Sequence, residues 1–248
     1  MRVLFVKQDH ASPSGFVGSA FTDLGYDVSE FTVVPASRYD SPDVTAVFPD
    51  PGGHDAIVFF GAAWSVYDED TIGSWIGDEI AFARSAMDLG VPVLGICFGG
   101  QMLAAAIGGS VSRAPAPEIG WSMVDTSIPG LIDAGPWFQW HFDRFTVPAG
   151  VPVLARSAVA DQAFRIGRTL GLQFHPELTS SVLECWLDNG GAGQLAACEV
   201  DAGALLEQTS SLESVSALRA HELVRRFVTD VTTGPAVPLP SVLGATLR

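Results

Sequence analysis

Short apolar runs alternate with longer mixed stretches through the first hundred residues. Val3 to Val6, Val28 to Val34, Ala56 to Phe60 and Val91 to Ile96 read as strands. Phe16 to Leu24 and Thr71 to Leu89 read as helices, and each segment is bounded by Gly, Pro, Asp or Ser. This is the punctuation of βαβ units, and strands that are apolar without alternation predict a parallel sheet covered on both faces. Between Val111 and Leu172 the segments shorten, with strand-like pieces at Val151 to Ala155 and Ala163 to Ile166. They predict an antiparallel or mixed region added to the sheet. From Ser211 to Val231, Leu212, Val215, Leu218, Phe227, Val228 and Val231 fall near helical spacing, with Ser210 and Glu213 placed for a capping box. That segment is expected to be a helix lying on the domain, with core packing favoured over partner docking. From Thr232, Pro235, Pro238 and Pro240 break any pattern and predict a loose arm. The expected organisation is a catalytic domain over 1–190 and a helical C-terminal extension over 191–248, packed on the same domain.

Composition narrows the class. The 248 residues are 48% hydrophobic and 17% charged, enough apolar material for a packed core. The formal charge is −15, and Lys7 is the one lysine among 13 basic residues. A nucleic-acid partner or an anionic membrane surface needs a concentrated basic face, so neither is expected. Residues 89–112 carry no charge, but Pro92, Gln101 and the glycines from Gly90 to Gly109 fit a strand, a tight turn and a helix better than a membrane span. Val3 to Val6 is too short for a signal peptide, so a cytoplasmic protein is expected. Cys97, Cys185 and Cys198 form no CxxC pair, so neither a disulfide framework nor a metal site is expected.

Candidate chemistry concentrates at Gly95-Ile96-Cys97-Phe98-Gly99-Gly100-Gln101, at the end of a buried strand. A side chain at the tip of a sharp strand-to-helix turn is held in a strained backbone, and glycines two residues away on either side let neighbouring segments approach. The helix expected from Phe98 to Ile107 points its N-terminal N–H groups at the sulfur, which favours the thiolate. Taken alone, Cys97 reads as a small buried hydrophobe, the usual fate of a free cysteine; Cys185 and Cys198, without flanking glycines, read as structural. A thiolate nucleophile needs a base and a group that orients it, and Gln173-Phe174-His175-Pro176-Glu177 offers both. In an extended segment His175 and Glu177 would face one side, leaving one ring nitrogen for Cys97. His10, His54 and His221 read as surface residues, whereas His141, within Trp137-Phe138-Gln139-Trp140-His141-Phe142-Asp143, belongs to a cluster that suits a pocket.

The GICFGGQ stretch followed by QFHPE resembles the class I glutamine amidotransferases, whose glutaminase domain uses a Cys-His-Glu triad. Phe60 to Asp68 resembles the glycine-rich loop of the family's GMP synthase branch, and Glu118-Ile119-Gly120-Trp121 and Trp140-His141-Phe142-Asp143 follow in the family's order, covering roughly residues 1–190. The resemblance implies a flavodoxin-like α/β fold, a largely parallel twisted sheet with helices on both faces. It implies no cofactor and assigns Cys97 as nucleophile, His175 as base and Glu177 as its orienting group. It gives the backbone N–H groups of Ala62 and Phe98 to an oxyanion hole, and Gly61, Gln101, Phe142 and Asp143 to glutamine binding. Gly61-Ala62-Ala63 stands where the family usually has Gly-Gly-Pro. If that position needs a positive φ, Ala62 strains the loop by about 1 kcal/mol or more, and the hole would await a partner or substrate. No GxxxxGK[ST] loop and no Ser-Gly-Gly-x-Asp-Ser loop is present. The expected activity is release of ammonia from glutamine for a separate acceptor synthase. A stand-alone γ-glutamyl amide hydrolase and a non-catalytic protein on the same fold are the alternatives, with a cysteine-based redox protein behind them.

Overall fold

The computed structural model describes residues 1–233. Among these residues nine strands form one sheet. Its parallel half contains β1 (Arg2–Lys7), β2 (Asp27–Thr32), β3 (Ala56–Phe59), β4 (Val93–Ile96) and β9 (Thr169–Leu172). The other half is antiparallel: β5 (Ser110–Thr126), β6 (Gly135–Thr146), β7 (Val153–Arg156) and β8 (Asp161–Ile166). The strand order is β2-β1-β3-β4-β9-β8-β7-β5-β6.

The unalternating strands divide their side chains between two cores, as burial on both faces requires. On β1, Val3 and Phe5 pack with Val17 and Phe21 of α1 (Gly15–Asp23) and with Leu223 and Phe227. Leu4 and Val6 pack on the opposite face with Phe82 of α3 (Ile76–Asp88) and Met102 of α4 (Phe98–Ala106). A third, smaller core joins Phe138 of β6 to Val182 and Leu183 of α5 (Ser180–Trp186), Leu195 of α6 (Ala192–Ala197) and Leu205 of α7 (Ala202–Arg226).

Three boundaries differ from expectation. The Thr71 to Leu89 helix is broken: α2 (Glu69–Ile72) ends, Trp75 is fully buried with its indole N–H donating to the Pro42 carbonyl, and α3 begins at Ile76. The short pieces expected near 151–155 and 163–166 are β7 and β8, but before them the region after Val111 is built on two long strands, in which a register shift between Arg113 and Glu118 absorbs Pro115 and Pro117. The last helix starts nearer 200: Asp201 caps it, accepting from the Ala204 N–H, while Glu213 accepts instead from the Ser180 N–H and hydroxyl. Val215 and Leu218 face solvent on α7, and Ala220, Leu223 and Val224 face the core. The arm expected from Thr232 lies outside the described residues beyond Thr233. No helix among the described residues is long and apolar enough to cross a membrane.

One buried polar pair in this core has a pH consequence. Glu79, in the first turn of α3, is fully buried and accepts from Gln8 Nε2 at 2.6 Å. Burial pushes its carboxyl up to about 8, against the pull of that hydrogen bond. The folded state therefore holds a proton that the unfolded chain releases near 4.5, so stability falls as pH rises from 4.5 to 8. Glu79→Gln should abolish this loss, which reaches about 5 kcal/mol at most. Urea midpoints of both proteins at pH 5 and pH 8 check it; equal slopes with pH would show that Glu79 is ionised throughout.

Candidate active site

The site lies at the carboxyl ends of the parallel strands, where open α/β sheets gather their functional groups. β4 delivers Cys97, which sits 6% exposed at φ 51° and ψ −106° before α4. That left-handed conformation is costly for a residue with a Cβ, and close packing holds it. A Cβ on Gly99 would stand 2.3 Å from the Phe59 carbonyl oxygen, and one on Gly95 would stand 2.6 Å from Gly99. Both glycines are therefore obligatory, as the elbow reading expects. Gly99→Ala should cost about 3 kcal/mol, measured as a lowered denaturant midpoint, because backbone rather than a side-chain tip must move.

β9 lies beside β4, with Ile96 paired to Leu172, so the residues that follow both strands meet. Gln173, Phe174 and His175 continue the run, and the His175 N–H donates to the Phe138 carbonyl of β6. His175 and Glu177 meet through a turn rather than along an extended segment: the Leu178 N–H reaches back to the His175 carbonyl. His175 Nδ1 lies 2.7 Å from Glu177 Oε1, and both side chains are nearly inaccessible. Burial pulls the imidazole down, but the Glu177 carboxylate and the Cys97 sulfur outweigh it and carry its pKa well above the usual histidine value. The imidazolium is thereby favoured beside the sulfur. Trp186 closes over the ring edge-on, with centroids 4.7 Å apart. Gly15 supports the turn from behind, where a Cβ would overlap the Glu177 carbonyl oxygen, and the Phe16 N–H donates to that carbonyl.

All the residues singled out as candidates line one cleft of about 360 Å³. Ala62 lies on its wall without the positive φ that would have strained it; among the described non-glycine residues only Cys97 and Glu199 have one. The expected steric penalty is therefore absent. The Phe98 N–H opens α4 and has no intrahelical acceptor by position. Across the cleft, Asp143 accepts from the Ser65 and Tyr67 hydroxyls, and Arg113 stands 3.9 Å away. Gln101 donates to the Asp143 carbonyl and to Gln173 Oε1, and Gln173 Nε2 in turn reaches Cys97 Sγ at 3.6 Å. Phe142 is half-buried with the Arg113 guanidinium 4.8 Å over its ring.

His141 lines the cleft as its aromatic setting suggested, but its ring is engaged elsewhere. Nδ1 contacts the Asp143 carbonyl at 2.9 Å, and Nε2 is 3.1 Å from Glu118 Oε2, out of line for a good hydrogen bond. Sequence reasoning passed over Ser65, Tyr67, Arg113, Gln173 and Trp186. Gln173 alone carried a local signal, a polar residue beside His175 in an apolar run. His54 and His221 are half-buried rather than fully exposed. Among the described residues no group of three His, Cys, Asp or Glu side chains could hold a metal ion.

Residues 24–189 match the family described as "Glutamine amidotransferase class-I". A glutamine-hydrolyzing GMP synthase from Aeropyrum pernix is 33% identical over 174 residues, 64% of this chain and 31% of that protein. The glutamine-hydrolyzing GMP synthase of Sulfolobus acidocaldarius has a subunit that is 32% identical over 161 residues, 59% of this chain and 82% of that subunit. The chain thus spans less than a third of the Aeropyrum protein's length. Among solved structures, a glutamine amidotransferase from Thermotoga maritima superposes with a TM-score of 0.80 at 25% identity, covering 93% of this chain and 99% of that one. A glutamine amido transferase from Methylobacillus flagellatus shares the fold, with a TM-score of 0.78 at 22% identity over 92% of this chain and 94% of its own.

Proposed function

The chain belongs to the class I glutamine amidotransferase family, and from that premise we propose that residues 1–190 hydrolyse the side-chain amide of glutamine through a thioester on Cys97. The observation that carries this reading is the buried His175 ring, with Nδ1 on Glu177 at 2.7 Å and Nε2 free of any hydrogen bond among the described residues, beside a strained elbow whose sulfur raises the imidazole pKa. The Cys97 thiolate attacks the amide carbon, and the carbonyl oxygen becomes an oxyanion within reach of the Phe98 and Ala62 N–H groups. As the tetrahedral intermediate collapses, the carbon–nitrogen bond breaks and His175 gives its proton to the departing nitrogen, which leaves as ammonia. Water then attacks the thioester carbonyl, giving up a proton to His175, and glutamate leaves with the thiolate restored. Glu177 holds the ring in place and favours its protonated form. Asp143, held by Ser65 and Tyr67, would take the amino-acid end of the substrate, and Gln101 would hold the Asp143 backbone.

The likeness to one subunit of the Sulfolobus GMP synthase supports delivery of the ammonia to a separate synthase subunit. The test is coupled measurement of ammonia and glutamate from L-glutamine by the purified protein. Equal release of both supports the reading, and no release from a protein whose Cys97 is freely alkylated would sink it.

A further inference from the structure

The cleft extends beyond what the glutamate half of a substrate fills. Asp143, with Ser65 and Tyr67, marks one side of Cys97; His175 marks the other, because the leaving nitrogen must face the group that protonates it. Segment 9–16 walls this second side. Gly15 and Phe16 pack on the Glu177 backbone, and the Ser12 hydroxyl donates to the Gly61 carbonyl at 2.9 Å. Gly61 itself lies against His175, where an added Cβ would stand 3.3 Å from Cε1. Ammonia needs none of this wall.

Asp9 is 1% exposed on the cleft wall. The Ala11 N–H donates to its Oδ1 at 2.7 Å, the Ser12 hydroxyl hydrogen is shared between that oxygen at 3.1 Å and the Gly61 carbonyl, and its Oδ2 has no hydrogen-bond partner among the described residues. A carboxylate set into a nearly closed wall, with one oxygen that lacks a donor, is stabilised by a cation brought to it. Burial already pushes the Asp9 carboxyl up, against the hydrogen bonds from Ala11 and Ser12 and the weaker electrostatic pull of His10 and Lys7. Tyr39 and Trp186 line the same cleft, and the Tyr39 phenol, raised in pKa by burial, is near enough to Asp9 for the carboxylate to raise it further. Tyr39 is fixed by its hydroxyl on the Asn189 carbonyl at 3.3 Å and by edge contact with His10 at 5.0 Å. Aromatic faces beside an unpaired carboxylate are a setting for an ammonium group.

We propose that this side of the cleft is an amine subsite, in which Asp9 and the rings of Tyr39 and Trp186 receive the protonated amino group of an aminoalkyl chain carried on a γ-glutamyl amide. The inference rests on Cys97 acting as the nucleophile, and it names the substrate class. Sγ bonds to the γ-carbonyl carbon, the bond to the alkylamine nitrogen breaks, and that nitrogen leaves with the proton from His175. Water then releases glutamate. The products are glutamate and a diamine, so the reaction that supplies this substrate must join a diamine to the γ-carboxyl of glutamate.

The test compares kcat/KM of the full chain for L-glutamine, γ-N-(4-aminobutyl)-glutamine and γ-N-butyl-glutamine, which differ in bulk and in one terminal charge. The aminobutyl amide should exceed the butyl amide at least tenfold, and Asp9→Asn, which keeps an acceptor for Ala11 and Ser12, should erase that preference. Tyr39→Leu is the second variant should Asp9→Asn fail to fold, and it should cut the same ratio severalfold. Equal rates for the two alkyl amides, or glutamine cleaved with both alkyl amides inert, would overturn the amine subsite and leave the nucleophile reading standing. A fall of the same size on all three substrates in Asp9→Asn would make Asp9 a scaffold residue and overturn it too. Silence on all three, with Cys97 still alkylated, would instead bring down the nucleophile reading beneath it.

Discussion

Cys97→Ala should lower the rate of ammonia release from glutamine by at least about 10⁴-fold, because no other group at the elbow can form the covalent intermediate. The loss should be chemical rather than structural. Alanine keeps the Cβ and the strained backbone, so the denaturant midpoint should shift by under about 1 kcal/mol. Cys198→Ser should retain full activity, and iodoacetamide should label Cys97 first, since burial pushes the Cys185 thiol up. Steady-state kinetics with peptide mapping of the alkylated protein measures all three. A Cys97→Ala protein with more than about 1% of the original turnover contradicts the thioester route.

The base comes next in size. His175→Ala should cost about 10⁴-fold in kcat, and Glu177→Gln about 10² to 10³, since orienting a base is worth less than being one. The pH profile separates the two roles. Burial pulls the His175 imidazole down, and Glu177 and Cys97 lift it above its usual value. It therefore keeps its proton, the one proposed to go to ammonia, to higher pH than an isolated histidine would. Glu177→Gln removes part of that lift, so the alkaline limb of kcat should move to lower pH in the variant. An unmoved limb would show that Glu177 positions the ring without tuning its charge.

What could be read from sequence follows from how local each signal was. The parallel strands β1, β3 and β4 announced themselves because burial on both faces leaves their buried positions apolar without alternation, and Gly95 and Gly99 announced the elbow because no other residue fits against Gly99 and Phe59. His175 and Glu177 were legible as a pair two residues apart, although a turn and not a strand joins them. Contacts made across the chain left no such trace. The hydroxyls that hold Asp143 lie 78 and 76 residues before it, at Ser65 and Tyr67, and nothing near Asp143 names them. The start of α7 was misplaced because Ser210 and Glu213 imitate a capping box, while Asp201 makes the cap and Glu213 ties α7 to α5 through Ser180. Strain at Ala62 was conditional on its keeping the positive φ open to the glycine it replaces, and its φ is not positive.

The neighbouring strands β4 and β9 are far apart in the chain, and four strands of the antiparallel half are threaded between them. During synthesis Cys97 is therefore made long before His175, the base proposed for it. A chain folded only through α4 carries a thiol on a strained turn, open to oxidation and alkylation and unable to release ammonia. Joining β9 to β4 brings in histidine, glutamate and the covering Trp186 within about a dozen residues. Onset of activity in a refolding experiment thus marks the closing of the sheet's centre, a long-range and hence late event, and the enzyme is its own reporter of complete folding.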